Sequence, residues 1–174
     1  MITTARPEAG EYAPAFADYV ARVAEDEDVV AVLVAQLDQV LNRLGRFPEI
    51  RGDYRYASDK WSVKEIVGHL CDTERVFAYR ALRIGRGDST PLASFEDQAY
   101  VEASRAGDRT LAGLAAEWGD VRRATIALLA NLPAEAWHRR GTASDQPISV
   151  RALAYIIAGH VRHHLQVLEE RYTA

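Results

Sequence analysis

The chain has 174 residues, of which 48% are hydrophobic and 26% are charged. This composition is typical of a globular protein and excludes collagen-like, low-complexity and largely disordered chains. The 25 acidic side chains outnumber the 21 basic ones, giving a formal net charge of -4, and such a field opposes binding to nucleic-acid phosphates. We therefore expect one domain over residues 1–174 that does not bind nucleic acid.

Cysteine usage and hydropathy bear on the compartment. The single cysteine, Cys71, cannot form an internal disulfide. Residues Met1 to Gly10 lack the basic start and apolar stretch of a secretory signal. The most apolar stretch, Val150 to Ile157, is far shorter than the ~20 residues that cross a bilayer. We therefore expect a cytoplasmic protein without a membrane span.

The first long helix is predicted between Asp28 and Gly45. Apolar residues recur there at three- and four-residue steps, which indicates one buried helix face. The preceding segment, Tyr12 to Glu25, predicts a short extra N-terminal helix.

Three further helices are predicted from start and stop signals. Ser62 and Glu65 have the spacing of a capping box, so the second helix begins at Trp61 or Ser62 and ends near Gly85. The third begins after the possible cap Thr110 and ends before Pro133, and the fourth extends from Ser149 to about Tyr172.

These elements predict an all-α fold, a four-helix bundle, because no stretch alternates between apolar and polar residues as a hairpin would. The connection between the second and third helices, Gly85 to Arg109, has about 25 residues, more than an antiparallel turn requires. Its length suits a crossover between parallel neighbours. It also has room for a short helix or for a segment that covers a pocket.

Three of the five histidines lie in the last helix. At about 100° per residue, His160 and His164 differ by roughly 40° and share its apolar face, while His163 lies nearer the edge. His69 lies on the apolar face of the second helix. We therefore expect His69, His160 and His164 to meet inside the protein. His138 falls in a predicted loop and is assigned no role.

Buried imidazoles need hydrogen-bond partners and repel one another if they are charged. A divalent ion removes both problems, and neutral imidazoles are good ligands for zinc, nickel, copper and iron. We predict one divalent metal ion per chain, with zinc or nickel as the first expectation. The alternative is a hydrogen-bonded histidine network without an ion.

Two segments carry a family resemblance. Lys60 to Leu70 (KWSVKEIVGHL), followed by Asp72 to Arg75, resembles the second-helix motif of the DinB/YfiT-like superfamily. In the last helix, Ala154 to His160 and His163 to Gln166 are similar to its closing motif. Two connecting loops, Thr90 to Leu92 and Arg139 to Thr142, also match. The resemblance covers about Tyr12 to Tyr172.

The resemblance implies a four-helix bundle with an up-down-down-up path. It also implies a divalent metal bound by three histidines, which correspond here to His69, His160 and His164, and it suggests a homodimer. Many members of this superfamily are described as metal-dependent hydrolases. Characterised relatives include thiol transferases that use bacillithiol or mycothiol and a mycothiol-dependent isomerase.

Three neutral ligands leave an open coordination position, which favours a catalytic site over a closed structural one. We expect a metal-dependent hydrolase that activates a bound water for attack on a small-molecule substrate. One alternative is a thiol S-transferase, in which the metal activates a low-molecular-weight thiol. Another is a metal-binding or interaction protein without turnover.

Several polar residues are candidates for further roles. The carboxylates that could act as a general base are Asp72 and Glu74 in the second helix and Asp97 and Glu102 in the long connection. Arg80 shares the face of His69 and either binds an anionic substrate group or forms a buried ion pair. Cys71 and the aromatic residues Trp61, Trp118 and Tyr155 are expected to be packing residues.

Overall fold

The computed structural model describes residues 5–172. Its α-helices are α1 (Ala17–Ala21), α2 (Val29–Leu44), α3 (Val63–Gly85), α4 (Asp97–Ser104), α5 (Leu111–Ala130) and α6 (Val150–Tyr172). Short 3-10 turns occupy Ala9–Glu11, Pro14–Phe16, Glu49–Arg51, Ala106–Asp108 and Ala134–His138. The four long helices α2, α3, α5 and α6 form the predicted bundle.

The helix starts agree with the capping residues in the sequence. The Ser62 hydroxyl accepts a hydrogen bond from the Glu65 amide, and the Glu65 carboxylate accepts one from the Ser62 amide at 2.7 Å. The Asp28 carboxylate caps α2 by accepting from the Val30 amide, and the Thr110 hydroxyl caps α5 by accepting from the Gly113 amide, in both cases without a reciprocal bond. The extra N-terminal helix is confirmed, but α1 is only five residues long because a 3-10 turn over Pro14–Phe16 precedes it.

Contacts between the helices give the path of the chain. The hydroxyl of Tyr172, at the end of α6, donates to the carbonyl of Trp61, just before α3, so α3 and α6 are antiparallel. Cys71 and Glu74 in α3 contact Leu114 and Arg122 in α5 in the same order, so these two helices are parallel.

The remaining long helix completes the path. Gln36 and Arg43 in α2 bond to Ala158 and Glu169 in α6 in the same order, so α2 runs parallel to α6. The bundle is therefore up-down-down-up, as the resemblance implied. The long connection between α3 and α5 is the crossover between parallel helices that its length predicted, and it contains the short helix α4.

The all-α prediction is confirmed, with one short hairpin that the sequence analysis did not predict. Arg140–Ala143 (β1) and Gln146–Ser149 (β2) form an antiparallel hairpin before α6. Its turn places Ser144 and Asp145 at φ 53° and 59°, the left-handed conformation of a type I′ hairpin turn. The sequence lacks the Asn-Gly or Asp-Gly pair that usually marks this turn, and each strand has only four residues.

A buried polar network joins all four long helices. Arg122 in α5 is fully buried and donates to both carboxylate oxygens of Glu74 in α3, at 2.7 and 2.8 Å. It also donates to Gln36 in α2 at 2.7 Å, and Gln36 in turn donates to the Ala158 carbonyl in α6 at 2.8 Å. Apolar clusters around Trp137 and around Trp118 form the core beside this network. Among residues 5–172, no helix is long and apolar enough to span a bilayer.

Candidate metal centre

Two helices bring the three predicted histidines together. His160 and His164 lie one turn apart on the inner face of α6, and His69 lies on the facing side of α3. The Nε2 atom of His160 is 3.0 Å from Nε2 of His69 and 3.0 Å from Nε2 of His164. All three side chains are buried, with exposed fractions of 5–8%. The predicted convergence of these residues is therefore observed.

Gly159, the residue before His160, is required by the close packing of α1 on α6. A Cβ atom on Gly159 would lie 1.8 Å from the carbonyl oxygen of Tyr19, so helix α1 can pack on α6 only because residue 159 has no side chain. This close approach places the ring of Tyr19 edge-on to His160, with ring centroids 5.3 Å apart. The residue before His160 thus determines part of the wall around it.

Burial keeps the histidines neutral. It lowers the pKa of His69 to about 4, with a smaller effect from His163. Burial also holds the pKa of His160 and of His164 well below its usual value, and the neighbouring imidazoles lower it further. At neutral pH each ring therefore carries one proton and offers one lone pair.

The protonation pattern of His69 follows from its surroundings. Its Nδ1 atom lies 3.3 Å from the hydroxyl oxygen of Thr73 and 3.9 Å from a carboxylate oxygen of Asp97. With the Thr73 hydroxyl as acceptor, the proton of the His69 ring lies on Nδ1, and the negative charge of Asp97, although beyond hydrogen-bond distance, favours the same tautomer. The Nε2 lone pair then points towards the other two histidines.

This donor set fits a divalent ion. Four-coordinate zinc with Zn–N bonds of about 2.0–2.1 Å places its ligand nitrogens about 3.3–3.4 Å apart, close to the 3.0 Å separations seen here. In a neutral imidazole each ring nitrogen either donates one proton or accepts at one lone pair, so three converging nitrogens can form only one ordinary N–H···N bond among them. That bond requires the donor ring to carry its proton on Nε2 and not on Nδ1. A cation satisfies all three lone pairs at once.

The cluster lies at one end of a cavity of about 360 Å³. Its walls come from α1 and the turn before it, the face of α3 from His69 to Arg80, the histidines of α6, the long connection and the hairpin turn. The lining residues are Ala15, Phe16, Tyr19, Trp61, His69, Thr73, Phe77, Arg80, Phe95, Asp97, Ser144, His160 and His164. The part of the crossover before α4 therefore lines a pocket, as the length of that connection suggested.

Of the four candidate carboxylates, Asp97 alone lines this cavity. Its side chain is 54% exposed, and partial burial, followed by the nearby Glu96 carboxylate, raises its pKa. Asp72 lies on the α3 edge with Arg75, and Glu102 accepts a bond from Gln98 on an exposed face. Glu74 points away from His69, as expected, into the buried network.

The other singled-out residues lie outside the histidine cluster. His163 is half-buried, with its Nδ1 atom 3.4 Å from Nη2 of Arg22, and His138 is exposed. Burial raises the pKa of the Cys71 thiol to about 12, as for an inert packing residue. Trp118 and Tyr155 are fully buried core residues, as predicted.

Two aromatic residues of the site were not predicted. The ring of Trp61, interpreted from the sequence as a packing residue, lies 4.7 Å from the ring of His69, and its indole nitrogen donates to Gln98 at 3.0 Å. Tyr19 had no assigned role. The capping-box spacing places Trp61 next to the cap residue Ser62, about two turns before His69, and this spacing is the one sequence signal that could have indicated the contact.

The fold and this cluster define a class: helical bundles that hold three histidines at a potential divalent-metal site between two helices. The family model of the DinB superfamily matches residues 5–168, and the chain belongs to that superfamily. A structure titled "YfiT from Bacillus subtilis is a probable metal-dependent hydrolase with an unusual four-helix bundle topology" is similar, with a TM-score of 0.75 and 18% sequence identity. The match covers 93% of this chain and 92% of that one. No match was found among curated protein sequences.

Proposed function

We propose that the protein is a metal-dependent hydrolase of small molecules and that His69, His160 and His164 bind one divalent ion, zinc or nickel. The observation that carries this proposal is the convergence of three buried, neutral imidazole nitrogens at 3.0 Å at the end of a cavity. Membership of the DinB superfamily and the printed title of the YfiT structure are consistent with it.

The residues around the cluster have distinct roles in this proposal. When bound, a divalent ion supplies Lewis-acid chemistry that activates water and polarises a carbonyl group. Thr73 holds the His69 ring in the orientation that exposes its Nε2 lone pair, and the nearby Asp97 charge favours the same tautomer. The Asp97 carboxylate, which lines the cavity beside His69, accepts the proton released when water attacks the substrate.

The number of protein ligands favours a catalytic ion over a purely structural one. Among residues 5–172, the cluster gathers three ligand atoms, and no fourth histidine, cysteine or carboxylate joins it. A structural zinc site usually has four protein ligands, whereas a catalytic site keeps a position for water or substrate. The adjacent cavity gives a substrate access to that position.

A second candidate function is thiol S-transfer, which a second cavity favours. This cavity has a volume of about 420 Å³ and shares Trp61 and His164 with the first. Two cavities that meet at the histidine cluster could accommodate two substrates, a low-molecular-weight thiol in one and its acceptor in the other. Turnover that requires such a thiol would favour the transferase over the hydrolase.

The experiment is elemental analysis of the full chain, purified without a histidine tag and incubated with zinc or nickel. We expect about one ion per chain, and loss of that ion in each of His69→Ala, His160→Ala and His164→Ala. The matched controls His163→Ala and His138→Ala should keep it. Full metal content in the three cluster variants would overturn the assignment.

Activity and assembly are tested separately. The metal-loaded protein is assayed with ester and amide substrates, with and without an added thiol. Asp97→Asn should lower the rate constant by about 10²-fold, the lower range for a lost general base, without loss of the metal. We also propose a homodimer, which sedimentation analysis of the full chain would test.

A further inference from the structure

Arg80 lies in the same cavity as the histidines, at the other end of the α3 face that lines it. His69, Thr73, Phe77 and Arg80 occupy successive turns of α3, and all four line the cavity. Arg80 follows His69 by eleven residues, which corresponds to about 16 Å along the helix axis. The cavity thus has a histidine end, an aromatic middle and an arginine end.

The guanidinium of Arg80 is held in one position. Its Nη2 atom donates to the Ala93 carbonyl at 2.7 Å and to the Ser144 hydroxyl at 3.0 Å. Its central carbon lies 5.7 Å from the ring centroids of both Phe77 and Phe95, within the range of cation–π contacts. These contacts come from three separate segments, so the charge is fixed before any ligand arrives.

This buried charge has no acidic partner. Arg80 is 3% exposed, yet within residues 5–172 it contacts no aspartate or glutamate, and its Nε and Nη1 atoms have no acceptor. The other buried arginines of this region, Arg122 and Arg151, are each hydrogen-bonded to a buried carboxylate. The Nε and Nη1 atoms of Arg80 are not among the described buried atoms that lack a partner, and Arg80 lines the cavity, so these N–H groups are available to solvent or to a ligand anion there.

The prediction that Arg80 forms a buried ion pair is therefore wrong for residues 5–172. The other predicted role, binding an anionic substrate group, remains. A single uncompensated positive charge matches a singly charged carboxylate better than a phosphate monoester, which carries about -1.5 to -2 at neutral pH. Phe16, Phe77 and Phe95 provide an apolar wall beside it.

We propose that Arg80 binds the carboxylate of the substrate, so that the substrates are small organic acids with an aryl or alkyl segment. This proposal rests on the hydrolase function proposed above. In this arrangement the acid group contacts Arg80, the apolar segment lies along the phenylalanine rings, and the reacting bond lies towards the histidines. Asp97, at the histidine end, repels a carboxylate placed in the opposite direction.

The test measures ligand binding to the full chain by calorimetry, both as purified and after metal removal by a chelator. The probes are benzoate, phenylacetate and 3-phenylpropionate, each compared with its neutral amide, and phenyl phosphate. The variants are Arg80→Met and, as matched control on the same helix, Arg83→Met, whose guanidinium bonds outside the cavity to Asp88. Arg80→Gln replaces Arg80→Met if the latter does not fold.

At least one acid should bind more tightly than its amide and than phenyl phosphate. Arg80→Met should lower the affinity for that acid by roughly tenfold to a hundredfold, the range for hydrogen bonds to a charged group. It should change the affinity for the amide by less than about twofold. Arg83→Met should leave both unchanged. Equal binding of every acid and amide pair, tighter binding of phenyl phosphate, or unchanged acid binding in Arg80→Met would each overturn the proposal.

The chelator arm separates this proposal from the metal assignment. An acid held by Arg80 still binds the metal-free protein and still depends on Arg80, even if the histidines hold no ion. An acid held by the ion is released on metal removal and binds Arg80→Met normally, which contradicts the role of Arg80. The role of Arg80 and the presence of the ion therefore succeed or fail independently.

Discussion

The Glu74–Arg122 pair is expected to be the most sensitive polar contact in the bundle. Glu74→Leu would leave the Arg122 guanidinium fully buried without its two carboxylate bonds. Breaking a buried pair by removing one partner costs about 3–5 kcal/mol. Because a domain's free energy of unfolding is about 5–15 kcal/mol, this single change would remove a large part of the stability.

The magnitude can be measured by urea denaturation. With a typical slope of about 2 kcal/mol per M, a loss of about 3–5 kcal/mol lowers the urea midpoint by about 2 M. The matched control is Glu117→Gln, which removes a more exposed carboxylate that pairs with Arg75 and Arg109. Pairs of that kind contribute about 0–1 kcal/mol, so the control midpoint should barely move.

A double variant tests the electrostatic reason. Glu74→Leu combined with Arg122→Met removes both charges, and we expect it to be more stable than Glu74→Leu alone, because no uncompensated ion remains. Some loss should persist, since Gln36 loses its bond from Arg122. A midpoint for Glu74→Leu equal to that of the Glu117 control, or no recovery in the double variant, would refute this reasoning.

Two further predictions concern the packing beside the site and the behaviour in acid. Gly159→Ala should destabilise the fold by about 1–3 kcal/mol, because its new methyl group meets the Tyr19 carbonyl. Thermal unfolding would check this against Gly119→Ala, where the nearest atoms lie at 3.5 Å; equal stability of the two variants would contradict the clash. Burial opposes ionisation of Glu11, but bonds from Arg151 and Ser149 outweigh it and lower its pKa from 4.5 to about 2. Its stabilising contribution is therefore complete above pH 4.5 and is lost as the pH falls towards 2. Between pH 5 and pH 3 the wild type should lose more unfolding free energy than Glu11→Gln, and parallel losses would exclude this assignment.

The positions of the helices could be predicted because their signals are local. The caps Asp28, Ser62 and Thr110 bond to amides two or three residues away, within their own helix. The apolar faces follow from helix periodicity alone. Even the crossover was predictable, since a connection from Gly85 to Arg109 is longer than an antiparallel turn needs.

The hairpin could not be predicted on the same grounds, because contacts with distant segments define it. A Cβ on Gly141 would lie 2.7 Å from the Ile84 side chain, so the strand packs directly on the end of α3. Leu92, from the long connection, bonds to the backbone of Thr142 and Ser144 along its edge. Neither neighbour is visible in four residues of strand sequence.

By itself, the sequence determined the helical bundle and the inward direction of His69, His160 and His164, since each lies on the apolar face of its own helix. Only the tertiary structure decided which other groups surround the histidine cluster. Asp97, Trp61 and Tyr19 reach it from segments far apart in the chain, and Arg80 is shown to lack an acidic partner only when its neighbours are in place. The physical reason is range: caps and periodicity act over a few residues, whereas a cavity forms where several elements meet.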